Sequence, residues 1–132
     1  PDIVSLQLNV PLNTAYAVTS TIITKRRWLI ADQRPPGSAR REGNIEATAR
    51  TAIMGFRDDI AIRITPMGQG GQGSRVDIRS ASRVGQHDFG ANASRVRSLM
   101  EDIEEAANNA PEPKPEPEPK APVKKKQPEK RR

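Results

Sequence analysis

The residue types that could support chemistry are concentrated in residues 79–97, RSASRVGQHDFGANASRVR. This stretch holds four arginines, an aspartate and the only histidine of the chain. His87, Asp88 and either Ser80 or Ser82 are the residue types of a hydrolytic triad. However, His87 and Asp88 are adjacent, so their side chains would diverge, and the nucleophile elbow Gly-x-Ser-x-Gly is absent. We predict no catalytic residues, and a hydrolase stays only as an alternative.

Metal and cofactor sites are not indicated by the sequence either. The chain has one histidine and no cysteine, which excludes disulfides and thiolate ligands. Asp58 and Asp59 are adjacent and would face opposite sides of a strand. The glycines at 68, 70, 71 and 73 lack the Lys-Ser/Thr pair of a phosphate-binding loop. We therefore predict neither a metal nor a cofactor.

Arginines around the last predicted helix are the better lead. Arg83, Arg95 and Arg97 cluster near its start, where unpaired backbone N–H groups attract anions. An anionic ligand or a carboxylate of a partner protein could bind there. The alternative is a self-contained network in which these arginines satisfy Asp88, Asn92 and loop carbonyls.

A second set of charges is predicted on the outer face of the sheet. Arg63, Arg75 and Arg79 can lie opposite Asp59 and Asp77 on neighbouring strands. Exposed ion pairs contribute only ~0–1 kcal/mol each, so these charges favour recognition over stability. Nucleic acid is an improbable partner, because the chain has only four aromatic side chains and such binding relies on base stacking.

Hydrophobic periodicity supplies the elements that must position these residues. Alternation predicts strands, and spacings of three to four predict helices. The predicted strands are 3–10, 28–31, 44–54, 58–64 and 74–82, and the predicted helices are 13–25 and a last one from residue 88 or 92. Asn13 is expected to cap the first helix, whose buried stripe would be Ala15, Val18 and Ile22. Pro66 is expected to end the fourth strand.

The order strand, helix, four strands, helix predicts an α+β domain. Four consecutive strands with short connections indicate an antiparallel meander, and two amphipathic helices need one sheet face to cover. We expect a five-stranded antiparallel sheet with both helices on one face, the order of helix-grip and TATA-binding-like folds. This analogy concerns the fold and names no function.

Composition divides the chain at about residue 110. Residues 111–132 hold seven of the twelve prolines, eight basic and four acidic side chains. Such a segment cannot bury enough apolar surface to order itself, so we predict a disordered basic tail after a single domain at 1–110. The tail could approach an anionic membrane surface or serve as a solvated spacer. No apolar run reaches the ~20 residues of a membrane span, and the start at Pro1 suggests a processed or excised chain.

Several segments together resemble the bacterial family called domain of unknown function 1499. They are PDIV at the start, Trp28, GNIEATARTAIMGFRDDIAIRI (43–64) and SRVDIRSASRVGQHDFGANASRVRSL (74–99). The resemblance covers roughly residues 1–105, and the tail is not part of it. His87 falls on a variable position of the family motif, which weakens the catalytic interpretation further.

The resemblance implies no established activity. In similar proteins the domain follows transmembrane helices or is exported, which implies a cell-envelope location, membrane-tethered or periplasmic, with the cytoplasm as the alternative. The motif positions carried over form our predicted binding site: Asp59, Arg63, Arg79, Ser80, Ser82, Arg83, Asp88, Asn92 and Arg95. We expect a non-enzymatic module that binds an envelope protein or a small anionic ligand at this strand–helix corner. The alternatives are a hydrolase and a hydrophobic-ligand carrier with a pocket between sheet and last helix.

Overall fold

Alternating isoleucines build the centre of the sheet. The computed structural model describes residues 3–37, 41–50, 57–82 and 89–110. In chain order its elements are β1 (Ile3–Leu8), α1 (Leu12–Lys25), β2 (Leu29–Arg34), β3 (Gly43–Arg50), β4 (Arg57–Met67), a short 3-10 turn (Gln69–Gly71), β5 (Gly73–Ser82) and α2 (Phe89–Asn108). Ile60, Ile62 and Ile64 of β4 are each at most 2% exposed. The predicted α+β class is confirmed.

The five strands form one antiparallel sheet in the order β1-β5-β4-β3-β2. Strands β2 to β5 form the expected meander. β1 adds to its far side, pairing with β5 from Ile3↔Arg79 to Leu8↔Ser74. The helices cover one face, where α1 contacts β3, β4 and β5 while α2 contacts β1 and β5. The other face is open to solvent, as is common for antiparallel sheets.

The core lies between this sheet and the two helices. Ile45, Ile60, Ile62, Ile64, Val76 and Ile78 from the sheet meet Ile23, Leu99 and Ile103 from the helices, all at 2% exposure or less. Burying a side chain of this size contributes roughly 1.5–3 kcal/mol, so these residues are the main source of stability. The inner positions predicted for β3 and β4 are confirmed in the described residues. Thr51 and Ile53 lie outside them.

Helix α1 starts differently from the prediction. Pro11 is the N-cap residue, with φ −69°, no side chain makes a capping hydrogen bond, and Asn13 is exposed within the first turn. The Ala15 N–H donates to the Pro11 carbonyl at 2.9 Å. A proline fits here because its missing N–H would have no partner in the first turn. The expectation that Asn13 caps this helix is wrong.

The buried stripe of α1 is also rotated by about one residue. It consists of Ala15, Tyr16, Thr19 and Ile23. The predicted stripe residues Val18 and Ile22 are half-buried instead. Helix α1 ends at Lys25, with Arg26 as its C-cap residue. The next residue, Arg27, has a φ of 62°, the only left-handed value outside glycine among the described residues.

Two further boundaries correct the sequence prediction. Strand β4 continues through Pro66, which pairs with Ser74, to Met67. Beyond Ile64 the pairing of β4 with β3 has ended, so a proline without an N–H leaves no neighbour unbonded on that side. The acidic side chains at the C-terminal end of the last helix oppose the helix dipole and predict fraying after Ala106, but α2 runs to Asn108. The predicted disordered tail at 111–132 lies outside the described residues.

Candidate functional site

The sheet separates the predicted binding residues into two groups. Asp59, Arg63 and Arg79 are exposed on the open face, whereas Ser80 is 7% exposed on the face that the helices cover. This follows from strand alternation, because Asp59 and Ile60 point to opposite sides. The two groups therefore cannot contact one ligand at the same time.

The remaining predicted site residues are described in part or lie outside the described range. Arg83 and Asp88 fall in 83–88, outside the described residues. Ser82 ends β5 opposite Asp58 in the strand register, and Asn92 lies in the first turn of α2. The side chain of Arg95, one turn further along α2, is only 16% exposed and points toward the sheet.

Arg95 forms a buried ion pair with a residue that the sequence analysis did not select. Its Nη1 donates to Oδ2 of Asp58, which lies on the inner face of β4 and is 3% exposed. In the register Asp58 sits between Ala49 of β3 and Ser82 of β5. The pair therefore ties the early part of α2 to the end of the sheet.

Small and polar residues surround this pair, unlike the rest of the core. The inner positions at this end of β3 and β5 are Ala47, Ala49 and Ser80, all buried, where the other end has isoleucines and valine. Asp58 Oδ1 is buried and accepts no hydrogen bond from the residues that the structure describes. A buried carboxylate oxygen without a donor costs free energy, about 1–3 kcal/mol or more. It is therefore suited to accept a hydrogen bond from a bound group or water.

The arrangement brings a guanidinium and a carboxylate together at one end of the core. A guanidinium offers five N–H donors in a fixed plane, which suits carboxylates and phosphates. The residues that the structure describes contain no group of three or more His, Asp or Glu that could hold a metal ion.

The open face carries a separate network centred on Asp77. Its carboxylate Oδ1 accepts hydrogen bonds from Ser5 Oγ at 2.5 Å and from Arg75 Nε at 3.0 Å. Arg63 lies opposite Asp77 in the register, as predicted. Asp59 lies opposite Ala81 instead of an arginine, and it accepts a 3.3 Å hydrogen bond from Thr48. Ser5 and Arg75 are exposed, so the network contributes little stability, although the Asp77 side chain itself is only 13% exposed.

A groove lies between the two helices near their C-terminal ends. It has a volume of about 350 Å³ and is lined by Ile22, Lys25, Arg26, Asp102, Glu105, Ala106 and Asn109. Arg26 crosses it, with Nη2 2.6 Å from Asp102 Oδ2 and its guanidinium 5.3 Å from the ring centre of Trp28. The sequence analysis missed this groove, because no local pattern indicates which helix faces meet.

Comparison with known families identifies the chain. The model of the family described as "Protein of unknown function (DUF1499)" matches residues 1–103. The chain belongs to the DUF1499 family. Asp58 and Arg95 both fall within the matched part of this DUF1499 domain. A comparison with curated proteins found no match.

Solved structures resemble the DUF1499 chain at low sequence identity. The di-domain ARO/CYC StfQ from the steffimycin biosynthetic pathway has 8% identity and a TM-score of 0.45, with 81% of this chain and 44% of StfQ covered. XoxI from Bacillus cereus has 10% identity and a TM-score of 0.43, with coverages of 82% and 95%. A START superfamily protein from Mycobacterium smegmatis has 9% identity and a TM-score of 0.36, with coverages of 81% and 96%.

These similarities transfer no ligand or reaction to the DUF1499 chain. The chain spans less than half the length of StfQ. Among the described residues of this DUF1499 protein, neither helix has the length and apolar character required to cross a membrane.

Proposed function

We propose that this DUF1499 chain is a non-enzymatic binding module of the cell envelope. It recognises a partner protein or a small anionic ligand at the end of the sheet where α2 begins. The observation that carries this proposal is the buried Asp58–Arg95 pair. The Arg95 guanidinium supplies positive charge and N–H donors for an anionic group. Asp58 Oδ1, which lacks a donor among the described residues, requires that the bound partner or ligand also offer an N–H or O–H.

The energetics of this pair support a role beyond stability. Removing two charges from water is expensive, and apolar residues of similar volume often stabilise a protein as well or better. The rest of this core uses aliphatic side chains such as Ile62, Ile64 and Leu99. A charged pair at one end of such a core therefore suits a site whose purpose is recognition.

Packing favours a binding module over a hydrophobic-ligand carrier. A carrier needs a cavity of ~300 Å³ or more between its sheet and helices. In the described part of the interior, Ile78 of β5 and both Leu99 and Ile103 of α2 are fully buried. The groove of about 350 Å³ that described residues line lies at the surface between the two helices.

The proposed envelope location rests on the family resemblance. Similar proteins carry this domain after transmembrane helices or export it, and we propose the same setting here. An envelope partner protein is therefore the first candidate for recognition. The basic residues of 111–132 would strengthen contact with an anionic membrane surface through charge attraction.

The test is a comparison of variants that remove charge on either side of the sheet. The full chain serves as bait in bacterial envelope extract, and bound proteins and small molecules are identified by mass spectrometry. We expect Arg83→Ala/Arg95→Ala to lose the specific partner or ligand, and Arg63→Ala/Arg79→Ala to retain it. Both variants remove two positive charges, so a nonspecific charge effect would appear equally in both.

A folding control keeps the result interpretable. Asp58→Leu/Arg95→Met removes both charges of the buried pair without leaving one of them unpaired. We expect it to fold and to lose binding. The proposal is wrong if this folded variant binds as the wild type does, or if the open-face variant alone loses the partner.

A further inference from the structure

Strand β1 is an edge of the sheet that carries no charge. Among the described strands it pairs only with β5, so one side of its backbone has no partner strand. Its sequence IVSLQL contains neither a charged residue nor a proline, and its register with β5 runs without a shift from Ile3 to Leu8. Proteins commonly protect such edges with charges, prolines or bulges. The backbone of β1 is therefore suited to pairing with another strand.

The other edge strand, β2, is protected in the ways that β1 is not. It carries Asp32 and Arg34, which form an ion pair at 3.0 Å, and its register with β3 shifts between Ile30 and Asp32. Such an irregularity bends an edge strand and disturbs further pairing. The contrast between the two edges selects β1 as the strand that pairs.

Apolar side chains accompany the edge formed by β1. Val4 and Leu6 are half-buried on the side of the sheet that the helices cover, and Ile3 is 54% exposed on the open face. Met100, near the middle of α2, is also only partly buried while it packs against the core. Covering these side chains would remove further apolar surface from water.

The flank of α2 that contains Met100 faces away from α1. Ser98 and Asp102 both accept hydrogen bonds from Arg26 at the end of α1. Met100 is two residues from each of them, so it lies on the opposite side of the helix. Because α2 contacts β1 and β5, this flank lies beside the edge of β1.

Two charges on this flank are arranged to fit an antiparallel copy of the same helix. Arg97 lies three residues before Met100 and Glu104 lies four residues after it, so all three share one side of α2. Both charged residues are exposed, and neither has an ion-pair partner among the residues that the structure describes. In an antiparallel second copy, Arg97 faces Glu104 and Met100 faces Met100. The charge pattern therefore selects a second copy of this chain as the partner.

We propose that two copies of this chain form a two-fold symmetric dimer through antiparallel pairing of their β1 strands. The two sheets then form one continuous sheet. A register with Ser5 opposite Ser5 places Val4 opposite Leu6 and keeps all four of these apolar side chains on the helix side. Neighbouring strands lie about 4.8 Å apart and α2 covers β1 and β5, so the two copies of α2 come to about 10 Å, a normal packing distance for helices.

Charge reversal on α2 tests this dimer in the full chain. Sedimentation equilibrium from micromolar to millimolar protein concentration gives the dissociation constant. Arg97→Glu and Glu104→Arg each bring like charges together across the interface, so each should weaken the dimer at least about tenfold. An equimolar mixture of these two variants should restore it, because every reversed charge then meets its opposite in the mixed dimer. Glu105→Arg, on the side of α2 that lines the groove with α1, is the control and should leave the constant unchanged.

A lysine in each edge strand shows which edge is used. Ser5 and Gln33 are both exposed, on β1 and β2 respectively. Ser5→Lys brings two positive charges together near the two-fold axis and should abolish the dimer, whereas Gln33→Lys should retain it. Circular dichroism checks that every variant is folded.

The proposal is overturned if the wild-type chain stays monomeric at millimolar concentration. It is also overturned if the folded Ser5→Lys variant dimerises as the wild type does, or if Gln33→Lys is the variant that dissociates. Reversal variants that dimerise like the wild type, or a mixture of them that stays monomeric, would equally exclude the antiparallel contact between the two copies of α2.

Discussion

Asp58 of β4 and Arg95 of α2 are 37 positions apart in sequence and form a buried ion pair beneath the helix. The adjacent Asp59 is exposed on the opposite face of the sheet. Two neighbouring aspartates therefore have different environments, one desolvated against a guanidinium and one solvated beside Thr48. Substitutions at the two positions therefore compare how a buried and an exposed carboxylate affect the free energy of unfolding.

Removing one partner of the buried pair should destabilise the domain strongly. Asp58→Asn leaves Arg95 without its carboxylate, and such losses cost about 3–5 kcal/mol. Asp59→Asn, the control, should change the free energy of unfolding by less than about 0.5 kcal/mol. Urea unfolding followed by Trp28 fluorescence measures both. Equal effects at the two positions would contradict the burial argument.

Replacing both Asp58 and Arg95 with apolar residues should lower the free energy of unfolding much less than the sum of the two single replacements. In Asp58→Leu/Arg95→Met no charge is left buried alone, and apolar replacements of buried pairs are often neutral or stabilising. The free energy lost by this double variant should be smaller than the summed losses of Asp58→Leu and Arg95→Met. Additive losses would show that the pair has no energetic coupling.

A methyl group at Gly43 should destabilise the domain through a steric clash. A Cβ built at this position meets Tyr16 Cδ1 and lies 2.9 Å from Tyr16 Cε1. Because the Tyr16 ring is buried in the core, it cannot move away freely. We expect Gly43→Ala to lose about 1–3 kcal/mol, as overpacking does. Gly37→Ala is the control, since its Cβ would meet nothing within 4 Å. Thermal unfolding of both variants is the measurement. A shift of equal size in the two variants would show that the clash with Tyr16 has no effect on stability.

The stability of the domain should fall at high pH because of Tyr16. Burial raises the pKa of its hydroxyl, and the negative charge of Asp32 acts in the same direction. The neutral form is thus favoured in the folded state. The associated stability is fully present below the unfolded-state pKa of about 10 and is lost as the pH rises through the folded-state pKa.

Tyr16 is the only tyrosine, so its titration can be followed directly by ultraviolet absorbance. The folded chain should ionise at higher pH than the urea-unfolded chain. Tyr16→Phe should remove this contribution to the alkaline loss of stability. Identical titration curves in the folded and unfolded chain would show that burial has no effect on the hydroxyl.

Glycine at position 27 should stabilise the end of α1. Arg27 has a φ of 62°, a conformation that glycine adopts without the steric cost paid by other residues. Arg27→Gly should therefore raise the free energy of unfolding by up to about 1 kcal/mol. Ala17→Gly, at an exposed position inside the same helix, should lower it by about 1 kcal/mol. Chemical denaturation of both variants tests the opposite signs.

The fold was predictable because local patterns agree with the tertiary structure. Ile60, Ile62 and Ile64 alternate along β4, and period-two alternation in neighbouring segments predicted the same inner face. Short connections then predicted the meander. The predictions failed where the tertiary context decides, as at Pro66, which is tolerated because β3 no longer accompanies β4 there.

The candidate site was predicted only in part. Ser80 and Arg95 were selected, and Ser80 does lie on the inner face of the sheet while Arg95 points toward that face from α2. Asp58 was dismissed as one of two diverging carboxylates. A signal for it existed, because Asp58 has the same parity as Ile60 and Ile62. The ion pair of Arg26 with Asp102 had no such signal, since it depends on how two helices cross.

The pairing of β1 with β5 has a consequence for how the chain folds during synthesis. Ile3 pairs with Arg79, so the first strand to leave the ribosome must wait for the last one. At 5–20 residues per second this delay is about 4–15 seconds. In that time Leu6 and Leu8 have no partner strand, and contacts this distant in sequence slow folding generally. The nascent domain therefore has a defined interval in which a chaperone can bind β1.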